Sequence, residues 1–165
     1  MKQLYIKQKV FSLGGKFTVK DQQEKDVYYV EGSFMKVPKT FTIMNNARNE
    51  VALITKKTFS FLPKFFVNVN GQEVLMIKKE LSFIKARYTI EAAGIEVHGN
   101  WWDMEFQVMQ HGEVVGKVNK EWFTWGDSYK VQIIDENMEA IVIALVVAID
   151  CVKAEDAAAS SASTI

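Results

Sequence analysis

The sequence predicts a mainly β domain: a closed antiparallel barrel around one buried, hydrophobic C-terminal α-helix. Three observations carry this. A run of apolar residues of helical character spans Ala140–Ile149, short alternating segments precede it, and an internal repeat runs through those segments.

The stretch from Ala140 to Ile149 has no polar residue on any face. A helix that is apolar all round must be wrapped on all sides. Ala140, Ala144 and Ala148 recur every four positions and form one helical stripe, which favours helix although the β-branched residues by themselves favour strand. Asp135, Glu136 and Glu139 open the segment, with Asp135 or Asn137 as N-cap, and Lys153 closes it, as the helix dipole prefers. At about 1.5 Å per residue the run is about half the length needed to cross a bilayer core of about 30 Å. Glu139 and Asp150 would sit at membrane depth in any longer span, so a core helix is expected and no transmembrane span.

Before the helix the chain reads as short strands separated by turns. Lys16–Lys20 alternates, Asp21–Asp26 is a polar turn, and Val27–Gly32 resumes as strand. Phe41–Asn46 ends at a turn before Glu50–Lys56, and Phe65–Val69 meets Val74–Ile77 across Asn70-Gly71, a strong hairpin signal. Pro38 and Pro63 fall between strands, where a missing N–H is tolerated.

Four segments share one template. Starting from Val27, Val51, Val74 and Val115, apolar residues recur at offsets +3, +14 and +16: Val30, Phe41 and Ile43; Ile54, Phe65 and Val67; Ile77, Tyr88 and Ile90; Val118, Tyr129 and Val131. Three copies add lysine at +5, namely Lys56, Lys79 and Lys120. One repeated strand-loop-strand unit implies a wrapped sheet, and about ten to twelve strands in all can close around a helix. Closure also removes edge strands.

With 165 residues, 48% hydrophobic and 24% charged, the chain has the composition of a single soluble globular domain. Residues 1–153 are assigned to the barrel with its helix at about 136–153, and the Ala/Ser-rich stretch 154–165 to a flexible tail, disordered or frayed helix. No apolar run of signal-peptide length opens the chain, so cytoplasmic residence is expected. A lone Cys151 excludes an intramolecular disulfide.

A net charge of zero hides an asymmetry. Residues 1–50 carry nine Lys/Arg against five Asp/Glu, residues 51–90 seven against two, and residues 91–165 four against thirteen. The balanced total argues against generic nucleic-acid binding, yet it leaves room for one basic face that attracts anions. Lys56, Lys57, Lys64, Lys78, Lys79, Lys85 and Arg87 concentrate that charge. On neighbouring hairpin strands, Lys56, Lys57, Lys78, Lys79 and Arg87 would form one outward patch for phosphate groups. The plainer reading of the same residues is a solvated barrel exterior.

Trp101, Trp102, Trp122, Phe123 and Trp125 form a dense aromatic set. Strand alternation would put Trp101 and Trp102 on opposite faces, leaving at least one as a surface aromatic. His98, His111 and Cys151 show no metal-ligand spacing, so no metal and no cofactor are expected. A triad from Ser128, Asp127 and a histidine lacks a nucleophile elbow, and Gly14-Gly15-Lys16 lacks the frame of a phosphate-binding loop.

Several segments, taken together, resemble the LURP-one-related family of the tubby-like superfamily. They are Lys16–Asp21 with Tyr29–Gly32 downstream, Gly99-Asn100-Trp101-Trp102-Asp103-Met104-Glu105-Phe106, Trp122–Tyr129, and the apolar helix ending Ile149-Asp150; in order they cover residues 3–153. The resemblance implies a tubby-like, closed twelve-stranded barrel around a central hydrophobic helix; LURP-one-related proteins have no established enzymatic activity. Tubby domains bind phosphoinositide headgroups through basic residues on the barrel wall, and phospholipid scramblases are distant relatives. No stretch of this chain matches the tubby lipid site residue by residue, so no site residue follows from the resemblance.

The expected function is a non-enzymatic binding or scaffold protein whose basic face meets an anionic phospholipid headgroup, or another polyanion, at the inner membrane surface. The alternative is a protein-interaction barrel, open to homo-oligomers, that uses Trp101 and Trp102. A scramblase-like role and an enzyme stand behind these.

Overall fold

The computed structural model describes residues 1–7, 15–33, 35–57, 59–81, 87–123 and 126–163. The expectations placed on Lys85, Trp125 and the side chains of Trp122 and Phe123 lie outside what it describes.

Among the described residues twelve strands follow one another: β1 (Lys2–Lys7), β2 (Lys16–Asp21), β3 (Asp26–Gly32), β4 (Thr40–Asn45), β5 (Glu50–Lys56), β6 (Lys64–Val69), β7 (Gln72–Glu80), β8 (Arg87–Ala92), β9 (Ile95–Asn100), β10 (Glu105–Gln110), β11 (Glu113–Phe123) and β12 (Gly126–Ile133). A single α-helix, α1 (Glu139–Ala162), ends the described chain. The strands form one sheet, each antiparallel to its sequence neighbour, and β1 pairs with β12 to bend it round. β8 and β9, joined by the Ala93-Gly94 turn, are the two ends of the sheet, so the barrel is nearly closed with one seam.

The internal repeat is the register of four hairpins. Residues +3 and +16 are cross-strand partners (Val30 with Ile43, Ile54 with Val67, Ile77 with Ile90, Val118 with Val131). Positions +5 and +14 are partners too: Gly32 with Phe41, Lys56 with Phe65, Lys79 with Tyr88, and Lys120 with Tyr129. Side chains alternate between faces along a strand, so both rows lie on the face that holds the core. The Asn70-Gly71 hairpin is as expected, with both residues at positive φ (49° and 78°), the backbone of a tight primed turn.

Residues Val142 to Val152 of α1 are buried without interruption inside this sheet. Burying a Val, Ile or Leu is worth about 1.5–3 kcal/mol, whereas the helix penalty of a β-branched residue is at most about 0.7 kcal/mol. Burial therefore decides the conformation. Among the described residues no helix is long and apolar enough to cross a membrane.

The helix ends differ from the sequence expectation. Asp135 caps a 3-10 turn, Glu136–Met138, its Oδ1 accepting from the Asn137 N–H at 2.9 Å; Met138, which makes no side-chain cap, precedes α1 itself. At the other end, α1 runs past Lys153 through the Ala/Ser-rich stretch to Ala162. Alanine is the best helix former, and the hydroxyls of Ser160, Ser161 and Ser163 donate back to carbonyls at 2.9–3.0 Å.

Close approach fixes where the helix sits. A Cβ added at Gly116 of β11 would lie 3.0 Å from both methyls of Val142. Gly116→Val is accordingly expected to lower stability by about 2 kcal/mol through overpacking, seen as a lower urea midpoint at unchanged slope. An unchanged midpoint would show that the helix does not press on β11 there.

Candidate functional site

Antiparallel succession puts the connections after β1, β3, β5, β7, β9 and β11 at one pole of the barrel. Those after β2, β4, β6, β8 and β10 lie at the other. α1 enters at the second pole, where Glu139 accepts from Lys2 and from the Tyr28 hydroxyl, each at 2.7 Å. It emerges at the first.

At that first pole the expected basic patch divides. Lys56 and Lys79 lie two residues beyond the buried Ile54 and Ile77, so strand alternation turns them toward the interior and not outward. There α1 meets them. Glu155 accepts from Lys39 at 2.6 Å and from Lys56 at 2.5 Å, while Asp156 accepts from Lys79 at 3.1 Å and from the Tyr88 hydroxyl at 2.9 Å. Burial acts to raise the Glu155 carboxyl, but the hydrogen bonds from Lys39 and Lys56 outweigh it and hold it below the usual carboxylate value. The Tyr88 phenol is pushed up by burial and by Asp156. Lys78 and Arg87, one position out of phase, are on the outer face. Lys78 pairs with Glu91 on β8, Arg87 stands opposite Glu80 in the ladder, and Lys57 is exposed just past β5. One outward patch of Lys56, Lys57, Lys78, Lys79 and Arg87 therefore does not form.

Trp101 and Trp102 are also placed differently from the expectation of a strand. They occupy a 3-10 turn, Trp101–Asp103, capped by Asn100, and both are only partly exposed. Trp102 stacks on Tyr88 with centroids 5.1 Å apart and planes 15° from parallel, and Trp101 meets Trp102 edge-on at 5.6 Å. The aromatics bridge β8 to the β9–β10 connection and pin the seam at the helix-exit pole. His98 is beside Glu96 at 2.7 Å, His111 is in the β10–β11 turn, and Cys151 is fully buried in α1, so the three do not converge.

A concentrated cationic recess lies elsewhere, on the outer wall of β1–β3. A groove of about 500 Å³ is lined by Lys7, Lys16, Lys20 and Arg48 with Phe17, Thr18, Tyr29, Val30 and a single carboxylate, Glu31. Arg48 reaches along the wall from the β4–β5 turn, where its own φ is +63°, and lays its guanidinium 3.9 Å from the Tyr29 ring centre. Glu31 is shared between Lys16 at 3.6 Å and Arg48 at 3.5 Å, and Lys20 is tied to Asp26 at 2.6 Å. Four cations thus face two carboxylates, Glu31 and the Asp26 that holds Lys20, and Arg48 keeps a flat, pre-oriented donor fork. These residues were not singled out from the sequence. The excess of nine Lys/Arg over five Asp/Glu in residues 1–50 is the signal that pointed there.

A carboxyl group on α1 is buried within the barrel. Asp150, 8% exposed, accepts from the Tyr129 hydroxyl at 3.3 Å; burial raises its carboxyl to about 6 against the opposing pull of Lys153 and Tyr129. The folded state thus keeps a proton, between pH values near 4 and 6, that the unfolded chain has released. Stability from this group falls as pH rises through that window, and above it the buried charge costs about 3 kcal/mol. Asp150→Asn is expected to raise the urea midpoint relative to the parent at about pH 8 and to change it little at about pH 4. A difference independent of pH would contradict this assignment.

Comparison with known proteins agrees with this architecture. The family model described as LURP-one-related matches residues 2–150. The chain is 31% identical over 156 residues to the uncharacterized protein YxjI of Bacillus subtilis (strain 168), covering 94% of this chain and 96% of that protein. The X-ray structure of a protein from Arabidopsis thaliana superposes with a TM-score of 0.53 at 11% identity, over 88% of each chain, which reflects a shared fold. The barrel closed by β1 and β12, the helix inside it and the match over nearly the whole chain lead to one conclusion: this protein belongs to the LURP-one-related family.

Proposed function

We propose that the protein is a non-catalytic binding module. In this reading the groove between Lys7, Lys16, Lys20 and Arg48 receives the phosphate of an anionic ligand, a phospholipid headgroup at the inner membrane surface. The observation that carries it is the groove itself, four cations against the two carboxylates Glu31 and Asp26 on the outer wall. Because α1 fills the interior, a ligand is met on the outside of the barrel. Lysines act there as point charges that draw in an anion, and the Arg48 fork supplies directional bonds to phosphate oxygens. Tyr29, beneath Arg48, keeps that fork flat against the wall.

Lys16→Glu with Arg48→Glu reverses two charges without touching the core, so folding is expected to be unaffected. Binding to phosphatidylcholine vesicles containing phosphatidylserine should fall by about tenfold or more at low salt, given about 1 kcal/mol for each basic residue near an anionic surface. The parent's own binding should weaken at high salt as the Debye length shrinks. Titration with inorganic phosphate, followed by amide NMR shifts of residues 16–20, tests whether a free phosphate suffices. Equal vesicle and phosphate binding by the parent and the charge-reversed variant would overturn the groove as the site.

A further inference from the structure

The helix-exit pole carries a second feature that the groove does not use. Three of its connections expose large apolar side chains: Met35 (88% exposed) and Val37 (73%) after β3, Phe59 (93%) and Phe61 (90%) after β5, and Leu81 (74%) after β7. The opposite pole is built otherwise. Its connections are residues 22–25, 46–49, Asn70-Gly71, Ala93-Gly94 and His111-Gly112, short and without any large aliphatic or phenyl side chain. Two other exposed large hydrophobic residues, Met1 and Ile134, lie at strand ends there, in none of these connections.

Charge follows the same division. Among the described residues, the connections 35–39 and 59–63 with Lys57 contain Lys36, Lys39 and Lys57 and no Asp or Glu; Lys39 is turned to Glu155, and the exposed carboxylate of this pole is Asp103 in the β9–β10 connection. Ser60, Phe61, Leu62 and Leu81 share a groove of about 390 Å³ with Lys64, Lys78, Lys79 and a single carboxylate among its lining, Glu80, so apolar tips and a net excess of ammonium groups are interleaved. The carboxylates nearest the pole on α1, Glu155 and Asp156, are taken by Lys39, Lys56 and Lys79, and beyond them the described helix has only alanine and serine.

We infer that this pole is a membrane-docking face, on which Met35, Val37, Phe59, Phe61 and Leu81 enter the headgroup–acyl boundary of an anionic bilayer while the surrounding lysines meet its phosphates. A protein partner needs a continuous surface of matching shape. Among the described residues the five side chains stand 73–93% exposed on three loops, as separate protrusions, with only Phe61 and Leu81 sharing a groove. A fluid apolar phase accepts separate protrusions without shape complementarity, and basic residues beside apolar tips suit its anionic boundary. The inference rests on the anionic-ligand reading in one respect, the lipid source of the anion, but stands on different residues.

The pole is tested by site-specific labelling. Cys151 is fully buried, so a polarity-sensitive dye placed on Phe59→Cys or Leu81→Cys reports those positions alone, with Gly112→Cys as the opposite-pole control. On addition of phosphatidylserine-containing vesicles, the labels at 59 and 81 should shift to an apolar environment and the label at 112 should not. Phe59→Ser with Phe61→Ser should weaken vesicle partitioning by about tenfold for each phenyl group removed from lipid, and leave inorganic phosphate binding unchanged. Vesicle binding that is lost with Lys16→Glu and Arg48→Glu while the labels at 59 and 81 stay in water would overturn docking by this pole and leave the groove standing. Docking that survives those charge reversals and needs Phe59 and Phe61 would do the opposite. Light scattering that shows a dimer abolished by the Phe59→Ser, Phe61→Ser variant, with no vesicle binding by the parent, would overturn the inference in favour of a self-association face.

Discussion

Everything in this structure depends on the demand of one helix to be surrounded. A segment with no polar face has no favourable orientation at a surface, and a flat sheet would cover only one side of it. Twelve antiparallel strands bent round by the β1–β12 ladder cover all of it. In return, the inward residues of the strands, Leu4, Val30, Ile54, Val67, Ile77 and Val131 among them, obtain a partner surface in a lumen too wide for them to fill across. Sheet and helix are two halves of one core, and neither has a stable reason to exist alone. Gly116 marks how tight the fit is, for the strand backbone there comes to within a side chain's width of Val142.

Polar contacts then register the helix along the barrel axis. Hydrophobic burial is non-directional and would tolerate sliding, but the two ends are pinned by carboxylates. Glu139 is held by Lys2 and Tyr28 at entry, and Glu155 and Asp156 are held by Lys39, Lys56, Lys79 and Tyr88 at exit. The exit lysines occupy the inward row because the repeat places them two residues past a buried aliphatic position. Cationic residues that look like surface charge in the sequence therefore serve the interior, and the acidic excess of the C-terminal half is partly spent on them.

What is left on the outside is distributed unevenly, and that distribution carries the functional reading. The wall of β1–β3 gathers cations from β1, β2 and the β4–β5 turn around Tyr29, and the helix-exit pole gathers apolar loop tips among lysines. Family membership gives the fold a lineage without naming a ligand. The groove and the pole are what distinguish this barrel surface from a uniformly solvated one.

The sequence by itself determined the barrel-and-helix architecture and the hairpin register, because both are written in local periodicity: an all-apolar run, a period of two in the strands, and the +3/+16 and +5/+14 offsets that turned out to be cross-strand partners. It also set the charge imbalance. It did not determine where that charge faces. Lys56 and Lys79 were turned inward by alternation from Ile54 and Ile77, Trp101 and Trp102 were taken out of the strand by a 3-10 turn, and α1 continued to Ala162 because Glu155 and Asp156 found lysines across the barrel mouth. Lys16 and Arg48, far apart in the chain, became neighbours only once β2 and the β4–β5 turn were brought to one wall. Periodicity is a property of neighbours in sequence, whereas a site is a property of neighbours in space, and only closure of the sheet decided the second.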